Sequence, residues 1–214
     1  IVKPKIGIIT AIGDQHLELF GSLENIRHAK YELIESLPKN GKQFIAEDDF
    51  KLENARDIKV FKSGVKFRYD GQKFSIKLLG KELIRNAVGV IMVARYLGLS
   101  LSQIATYLRK MDYLSPKLLA GNIIDNSYNS SLESFLSALD YLKVWKGYKK
   151  IVITPGFIEL GKNAKADWEK VLAAAKFVDE FCLNSKPKTP ISDKTVILLQ
   201  GRVSKGVKDY VQSI

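Results

Sequence analysis

The sequence is poor in cysteine and contains no long apolar runs. Cys182 is the single cysteine in 214 residues, so an internal disulfide and a metal site built from several cysteines are both excluded. No apolar stretch approaches the ~18 residues of a membrane-spanning helix, so the sequence predicts no membrane span. No signal peptide is recognisable at the start of the chain. We therefore expect a cytoplasmic protein in a reducing compartment.

Acidic residues are outnumbered by basic ones, 23 against 34, which gives a net charge of +11. Such an excess can indicate a nucleic-acid or membrane-surface partner. However, the basic residues are scattered along the chain, and no RNA-binding signature is visible among the aromatic residues. We therefore expect a lysine-rich, solvated surface on a protein that handles anionic metabolites, and no nucleic-acid partner.

The predicted elements form two α/β units with a boundary near Pro116. Hydrophobic residues make up 46% of the chain, enough for a buried core in each unit. The first unit has predicted strands at residues 5–10, 43–46 and 58–61, a hairpin around Asp70-Gly71, and helices at 23–37, 82–97 and 100–110. The second has predicted strands at 122–125, 149–154 and 195–199, and helices at 131–144, 163–184 and 204–211.

Strands that alternate with helices predict right-handed βαβ units on a parallel sheet. Ligands bind such sheets at the carboxyl ends of the strands. This places residues 10–16, 125–129 and 154–161 at candidate functional edges. Since the chain begins with Ile1 directly before a strand, we expect it to be a piece of a longer protein.

A histidine follows the first predicted strand, and a lysine lies on the helix after it. His16 lies in the loop after residues 5–10, and Lys30 follows it by fourteen positions on the helix that begins after Ser22. Taken alone, a single histidine is usually structural, and a helix lysine is usually exposed. A loop followed by a helical turn could also bring both side chains to one side of a site.

Residues 9–30 resemble a segment of the Mur ligase family, in which a strand leads into N-I-G-x-x-H-L-(D/E)-x-x-G-(S/T)-x-E and then a helix bearing A-K. The resemblance implies that His16 binds a catalytic magnesium ion and that Lys30 is carbamylated. Carbamylation turns a cationic lysine into an anionic oxygen donor, the ligand type that magnesium prefers. Ala11 departs from the pattern, which usually has Asn there.

Two further stretches resemble nucleotide-binding positions of the family. Residues 80–87 resemble G-x-H-N-x-x-N-A, which implies that Asn86 contacts adenine, although Glu82 and Leu83 replace His-Asn. The alternative is a helix N-terminus in which Glu82 is favourable to the dipole. Residues 115–117 stand where the family has the hinge motif P-G-R, so Lys117 could meet the nucleotide phosphates as a point charge rather than a bidentate fork.

Residues 123–131 resemble I-D-D-S-Y-N-A-N-P, a motif of the family member that adds D-alanyl-D-alanine. The resemblance implies that Asp125 and Asn129 bind ribose hydroxyls or position the incoming amine. Asn126 replaces the second Asp of the motif, and Leu132 replaces the proline. The alternative is an Asx turn followed by an N-cap for the next helix, and both interpretations can hold at once.

Residues 156–163 come within one residue of a phosphate-binding P-loop, which requires Ser or Thr where Asn163 stands. Bulky apolar residues fill this loop, whereas a phosphate cradle needs small residues and exposed amides. We therefore reject a P-loop here. The stretch instead resembles a loop of the Mur ligase C-terminal domain, which Glu159 and Gly161 match.

The resemblance implies an α/β fold, with part of a Mur ligase central ATP-binding domain at residues 1–114 and an incomplete Rossmann-like C-terminal domain with a mostly parallel sheet at 115–214. The N-terminal domain, the P-loop and the extreme C-terminus are expected to lie outside the chain, so this piece alone is expected to be inactive.

The implied activity is an ATP- and Mg²⁺-dependent ligase of peptidoglycan precursor synthesis. It would add D-alanyl-D-alanine to UDP-N-acetylmuramoyl-tripeptide through an acyl phosphate, and we expect a monomer. Two alternatives stay open: another Mur-family amino-acid ligase, and a non-catalytic nucleotide-binding α/β module.

Overall fold

The first half of the chain folds around two small sheets. A computed structural model describes residues 3–13, 17–112, 116–128, 131–156 and 164–213. The elements of the first half are β1 (Ile6–Ile9), α1 (Leu17–Phe20), α2 (Leu23–Glu35), β2 (Lys42–Ile45), α3 (Ala46–Asp49), β3 (Ala55–Phe61), β4 (Gly64–Tyr69), β5 (Gln72–Ile76), α4 (Ile84–Tyr96) and α5 (Leu101–Lys110). β1 and β2 pair in parallel, whereas β3, β4 and β5 form an antiparallel sheet.

The second half is a three-layer α/β unit. Its elements are β6 (Lys117–Leu119), β7 (Ile123–Asn126), α6 (Leu132–Leu142), β8 (Lys149–Thr154), α7 (Ala164–Ala174), β9 (Glu180–Leu183), β10 (Thr195–Gln200) and α8 (Lys205–Gln212). The sheet order is β6-β7-β10-β8-β9. β7, β10, β8 and β9 are parallel, and β6 is antiparallel to β7. α6 and α7 cover one face of the sheet and α8 the other, so every residue of the central strand β10 is buried.

Local sequence signals account for the ends of several elements. The side chains of Ser22, Ser100 and Ser131 each accept a hydrogen bond from the third backbone N–H of the helix that follows, which satisfies a donor that has no partner within the helix. Asp70 and Gly71 both have positive φ, 47° and 80°, as a two-residue hairpin turn requires. The predicted hairpin is confirmed, and so is an N-cap, at Ser131, for the helix that follows residues 123–131.

The helix predicted over residues 163–184 is wrong in its second half. α7 ends at Ala174, and β9 then pairs in parallel with β8. The Asp179 carboxylate accepts a hydrogen bond from the backbone N–H of Lys150 at 2.8 Å and fixes the start of this pairing. The helical spacing of the apolar residues did not reveal the strand, because a long-range partner determined it. The antiparallel edge strand β6 was not predicted either.

The two halves are joined by contacts around Lys62, in the turn between β3 and β4. The hydroxyl of Tyr141 donates a hydrogen bond to the Lys62 carbonyl at 2.6 Å, and the Lys62 ammonium lies 4.6 Å and 3.7 Å from the ring centroids of Trp145 and Tyr148. Leu79, from the first half, is part of the core of the second. These contacts hold the carboxyl ends of β1 and β7 on either side of one cavity. The predicted boundary between residues 114 and 115 lies outside the described residues and stays a prediction.

Candidate nucleotide and metal site

Lys30 is tied to the loop that follows β1. It lies in the middle of α2, half-buried, and its ammonium donates a hydrogen bond to the carbonyl of Ala11 at 2.7 Å. The placement follows from the local sequence, because Ser22 starts α2 and so sets which face of the helix meets β1. Lys30 is thereby held beside the segment that runs on to His16, and His16 itself lies outside the described residues.

Lys30 and the loop after β1 form one wall of a cavity, and the first turn of α4 forms a second wall. A 3-10 turn at Lys81–Leu83 leads into α4, so Arg85 and Asn86 both line the same cavity as Lys30. A cation in the first turn is unfavourable to the helix dipole. Arg85 is therefore a candidate contact for an anionic ligand, and its place at the start of a predicted helix was a signal already present in the sequence. The side chain of Glu82 is not described.

The third wall comes from the second half of the chain. Asn126 ends β7, and its amide donates hydrogen bonds to Gln200 at 2.8 Å and to Ser134 at 3.1 Å. Ser131 caps α6 and accepts a hydrogen bond from the backbone N–H of Ser134 at 3.2 Å. The N-terminus of the eleven-residue helix α6 therefore faces Lys30 and Asn86, and a helix N-terminus attracts anions.

These walls enclose a cavity of about 290 Å³, close to the lower end of the ~300–1,000 Å³ usual for small-molecule sites. Lys30 and Arg85 contribute positive charge, and Glu133 contributes one carboxylate. The other lining residues are neutral: Thr10, Ala11, Gly13, Leu83, Asn86, Pro116, Asn126, Ser131, Ser134, Ser137 and Ala138. The arrangement suits a ligand with an anionic end that needs amide and hydroxyl groups around it.

Asp125 is held on the opposite side of β7 from Asn126. Its carboxylate accepts hydrogen bonds from the backbone N–H of Ser127 at 3.1 Å and from the Ser127 hydroxyl at 2.5 Å, and the Lys208 ammonium lies 2.9 Å from it. Burial acts to raise the pKa of Asp125, but these hydrogen bonds outweigh it and hold the pKa below its usual value. Successive strand residues point to opposite faces, so Asp125 does not line the cavity with Lys30 and Asn86.

Of the remaining predicted site residues, Lys117 is described by the structure and does not line the cavity. Lys117 is exposed on β6, where it pairs with Asp125 in the backbone register, and its neighbour Pro116 lines the cavity instead. Asn129 lies outside the described residues, as do Glu159 and Gly161. Among the residues that the structure describes, no group of three or more His, Cys, Asp or Glu side chains could hold a metal ion. No helix in these same ranges is long and apolar enough to cross a membrane.

Comparison with known proteins identifies the family. Residues 1–94 match the Mur ligase middle domain, and the fold of the whole chain matches that of a MurF ligase from Thermotoga maritima, solved in complex with ADP, at a TM-score of 0.77. Residues 1–94 belong to the Mur ligase family. The match to the Thermotoga structure is 19% identical and covers 99% of this chain and 61% of that one, so the expected Mur ligase fold is confirmed.

Two curated relatives of the Mur ligase family extend the similarity beyond residue 94. The UDP-N-acetylmuramoyl-tripeptide–D-alanyl-D-alanine ligase of Bacillus subtilis is 27% identical over 188 residues, which is 75% of this chain and 41% of the relative. The ligase of the same name from Escherichia coli K12 is 23% identical, over 100% of this chain and 61% of the relative. The chain thus spans between about two fifths and three fifths of the relatives it matches.

Proposed function

We propose that this chain is part of an ATP-dependent ligase that adds D-alanyl-D-alanine to UDP-N-acetylmuramoyl-tripeptide. ATP would phosphorylate the terminal carboxylate of the tripeptide, which gives an acyl phosphate and ADP. The amine of D-alanyl-D-alanine would then attack the acyl carbon, and the bond to phosphate would break. The similarity to ligases that carry this activity in their names supports the proposal.

The observation that carries the proposal is the cavity in which Lys30, Arg85 and Asn86 face the N-terminus of α6. Such a site offers the Arg85 cation and helix N–H groups for the phosphates at one side and an amide for the base at another. We propose that Asn86 contacts adenine and that Arg85 contacts the phosphates. Since the walls belong to both halves of the chain, nucleotide binding would also fix the halves relative to each other.

Lys30 fits a magnesium site only in its carbamylated form. As an ammonium, it donates to the carbonyl of Ala11, and a cation cannot be a metal ligand. A carbamate at the same place would supply carboxylate-type oxygens beside the loop that leads to His16, which matches the donor preference of magnesium. We propose that His16 and carbamylated Lys30 hold the ion. When bound, magnesium supplies positive charge to the phosphate oxygens.

The proposal assigns secondary roles to three residues near β7. Lys117 and Asn129 would contact the nucleotide or the dipeptide once ligands are bound. Asp125 would position the segment between them through Ser127, with which it already bonds. We also propose the domain ranges 1–114 and 115–214, a cytoplasmic location and a monomer.

A ligase assay of the full-length parent protein tests the proposal. Phosphate release from ATP should require both UDP-N-acetylmuramoyl-tripeptide and D-alanyl-D-alanine, and single amino acids should not replace the dipeptide. Lys30→Ala should lower kcat by about 10²-fold or more, because the metal loses a ligand. Asn86→Ala should mainly raise KM for ATP, by about tenfold. The lost contact to adenine is made equally in the ground state and in the transition state, so kcat should change little.

The control for these variants is Lys39→Ala, at an exposed lysine outside the cavity, which should retain the activity of the parent protein. Withholding bicarbonate during purification should lower the activity of the parent but not the residual activity of Lys30→Ala. If the parent hydrolyses ATP equally well without either substrate, or if Lys30→Ala is as active as Lys39→Ala, the ligase proposal is wrong.

A further inference from the structure

The outward face of the antiparallel sheet carries rows of like charge. In the register of β3, β4 and β5, Arg56 lies opposite Arg68, and Arg68 lies opposite Lys73. In the next outward row, Lys59 lies opposite Lys66. All five side chains are exposed. Cations directly opposite each other across strands destabilise a sheet, so the arrangement costs stability in the absence of a ligand.

Few carboxylates compensate this charge. Arg68 pairs with Asp57 at 3.2 Å, and Lys66 lies 5.1 Å from the ring centroid of Phe61. Within the described ranges, Arg56, Lys59 and Lys73 have no carboxylate at ion-pair distance. The sheet therefore presents an excess of positive charge that the carboxylates of the described residues do not neutralise.

Helix α5 turns this charged face into a groove. α5 packs beside β5, and the space between them is a cavity of about 770 Å³, within the ~300–1,000 Å³ range of small-molecule sites. Arg109 of α5 lines the groove together with four cations of the sheet, whereas Asp57 is the one acidic residue in the lining. The groove and the cavity at Lys30 share no lining residue.

We propose that this groove binds an oligophosphate, as a free anion or as the phosphate tail of a nucleotide. Neighbouring strands are about 4.8 Å apart, and outward residues on one strand are about 6.8 Å apart. A short chain of phosphates can therefore contact several of the cations at once, and charge-assisted hydrogen bonds to phosphate are strong.

The shape of the groove favours this ligand over larger polyanions. A flat membrane surface cannot enter a concave groove. A single nucleic-acid strand needs exposed aromatic rings on which its bases stack, but the two aromatic residues in the lining, Phe67 and Phe74, are 3% and 2% exposed.

Calorimetric titration of the 214-residue chain with tripolyphosphate at low salt tests the proposal. The groove variant is Lys59→Gln/Lys66→Gln/Lys73→Gln. Its matched control, Lys39→Gln/Lys176→Gln/Lys194→Gln, makes the same change in net charge at three exposed lysines outside the groove. We expect the groove variant to weaken the affinity by at least about tenfold and the control by less than about threefold.

A parallel titration with ATP distinguishes the phosphate tail of a nucleotide from a free oligophosphate. If the groove variant weakens ATP binding as much as tripolyphosphate binding, the phosphate tail of a nucleotide occupies the groove. If only Asn86→Ala weakens ATP binding, the groove takes free oligophosphate. Either result supports the proposal and leaves the assignment of the Lys30 cavity to be judged separately by its own ligase assay.

The melting temperature of each variant shows whether a loss of binding comes from a loss of the folded state. Because the groove variant removes facing like charges, its Tm without ligand should rise by about 1–4 °C. If Tm falls instead, the single variants Lys73→Gln and Lys39→Gln replace the triple ones in the titration. Absent tripolyphosphate binding, or an equal loss in groove and control variants, overturns the proposal. Groove-dependent binding of an oligonucleotide or of anionic vesicles without tripolyphosphate binding overturns it as well.

Discussion

The ammonium of Lys208 lies 2.9 Å from the carboxylate of Asp125 and donates to the Ser127 hydroxyl at 2.8 Å. It thereby links α8 to the carboxyl end of β7. The Asp125 side chain is 16% exposed, so without its cation it would remain partly desolvated and unpaired. We expect Lys208→Met to lower the free energy of unfolding at neutral pH by about 1–3 kcal/mol, measured by urea denaturation. Lys205→Met, at an exposed position of the same helix, is the control and should change it by less than about 0.5 kcal/mol.

The same pair predicts a pH dependence. Asp125 has a folded-state pKa below the unperturbed 3.8, so its stabilising effect is present above about pH 4. It is lost as the pH falls through the lower folded-state pKa, where the folded protein also takes up the proton. The difference in unfolding free energy between the parent chain and Lys208→Met should therefore shrink below pH 3.8. A difference that stays constant from neutral to acidic pH would contradict this linkage.

The Cys182 thiol should not react with thiol reagents in the folded protein. Burial raises the pKa of its thiol, the neighbouring Glu180 carboxylate adds to the effect, and together they bring the pKa to about 12. Because the thiolate is the reactive species, we expect no measurable reaction with a disulfide reagent at mildly alkaline pH. One thiol per chain should react once the protein is unfolded in urea. Rapid stoichiometric labelling of the native chain would show that the thiol is accessible and ionised.

The hydrogen bond from Tyr141 to the Lys62 carbonyl should contribute to the coupling of the two halves. The Tyr141 side chain is 2% exposed, and Tyr141→Phe leaves that carbonyl without this donor. We expect the free energy of unfolding to fall by about 0.5–1.5 kcal/mol. Tyr107→Phe serves as the matched control, since Tyr107 is 57% exposed. Both free energies of unfolding are measured by chemical denaturation. If the two substitutions lower them equally, the hydrogen bond from Tyr141 to Lys62 does not stabilise the protein.

Gly64 is required where β3 turns into β4. Its φ is +141°, and a Cβ atom added there would collide with the carbonyl oxygen of Ile76. Gly71 also has a positive φ, +80°, but open space surrounds the added atom. Gly71→Ala should therefore cost about 1–2 kcal/mol for its backbone conformation alone, and Gly64→Ala about 2–4 kcal/mol, since it adds a clash. The order of the two Tm values checks this, and a reversed order would be inconsistent with it.

The sequence by itself determined the features that depend on neighbouring residues. Ser22, Ser100 and Ser131 fixed three helix starts, and Asp70-Gly71 fixed a hairpin, because caps and tight turns are closed by atoms a few residues apart. The motif around Lys30 also pointed to the correct family. His16, which we propose as the second metal ligand, lies outside the described residues, so that part of the site stays a prediction.

Only the tertiary structure decided which side chains share a site. Residues 180–183 became a strand because β8 offered a partner, against the helical spacing of their own sequence. Asp125 and Asn126 were separated by the pleat of β7, one toward Lys208 and the other into the cavity. Arg85 and Ser134 line one cavity because the two halves of the chain pack against each other. These outcomes depend on contacts between residues that are far apart in the chain. A local sequence pattern reports only on neighbouring residues, so it does not determine which distant segments come together.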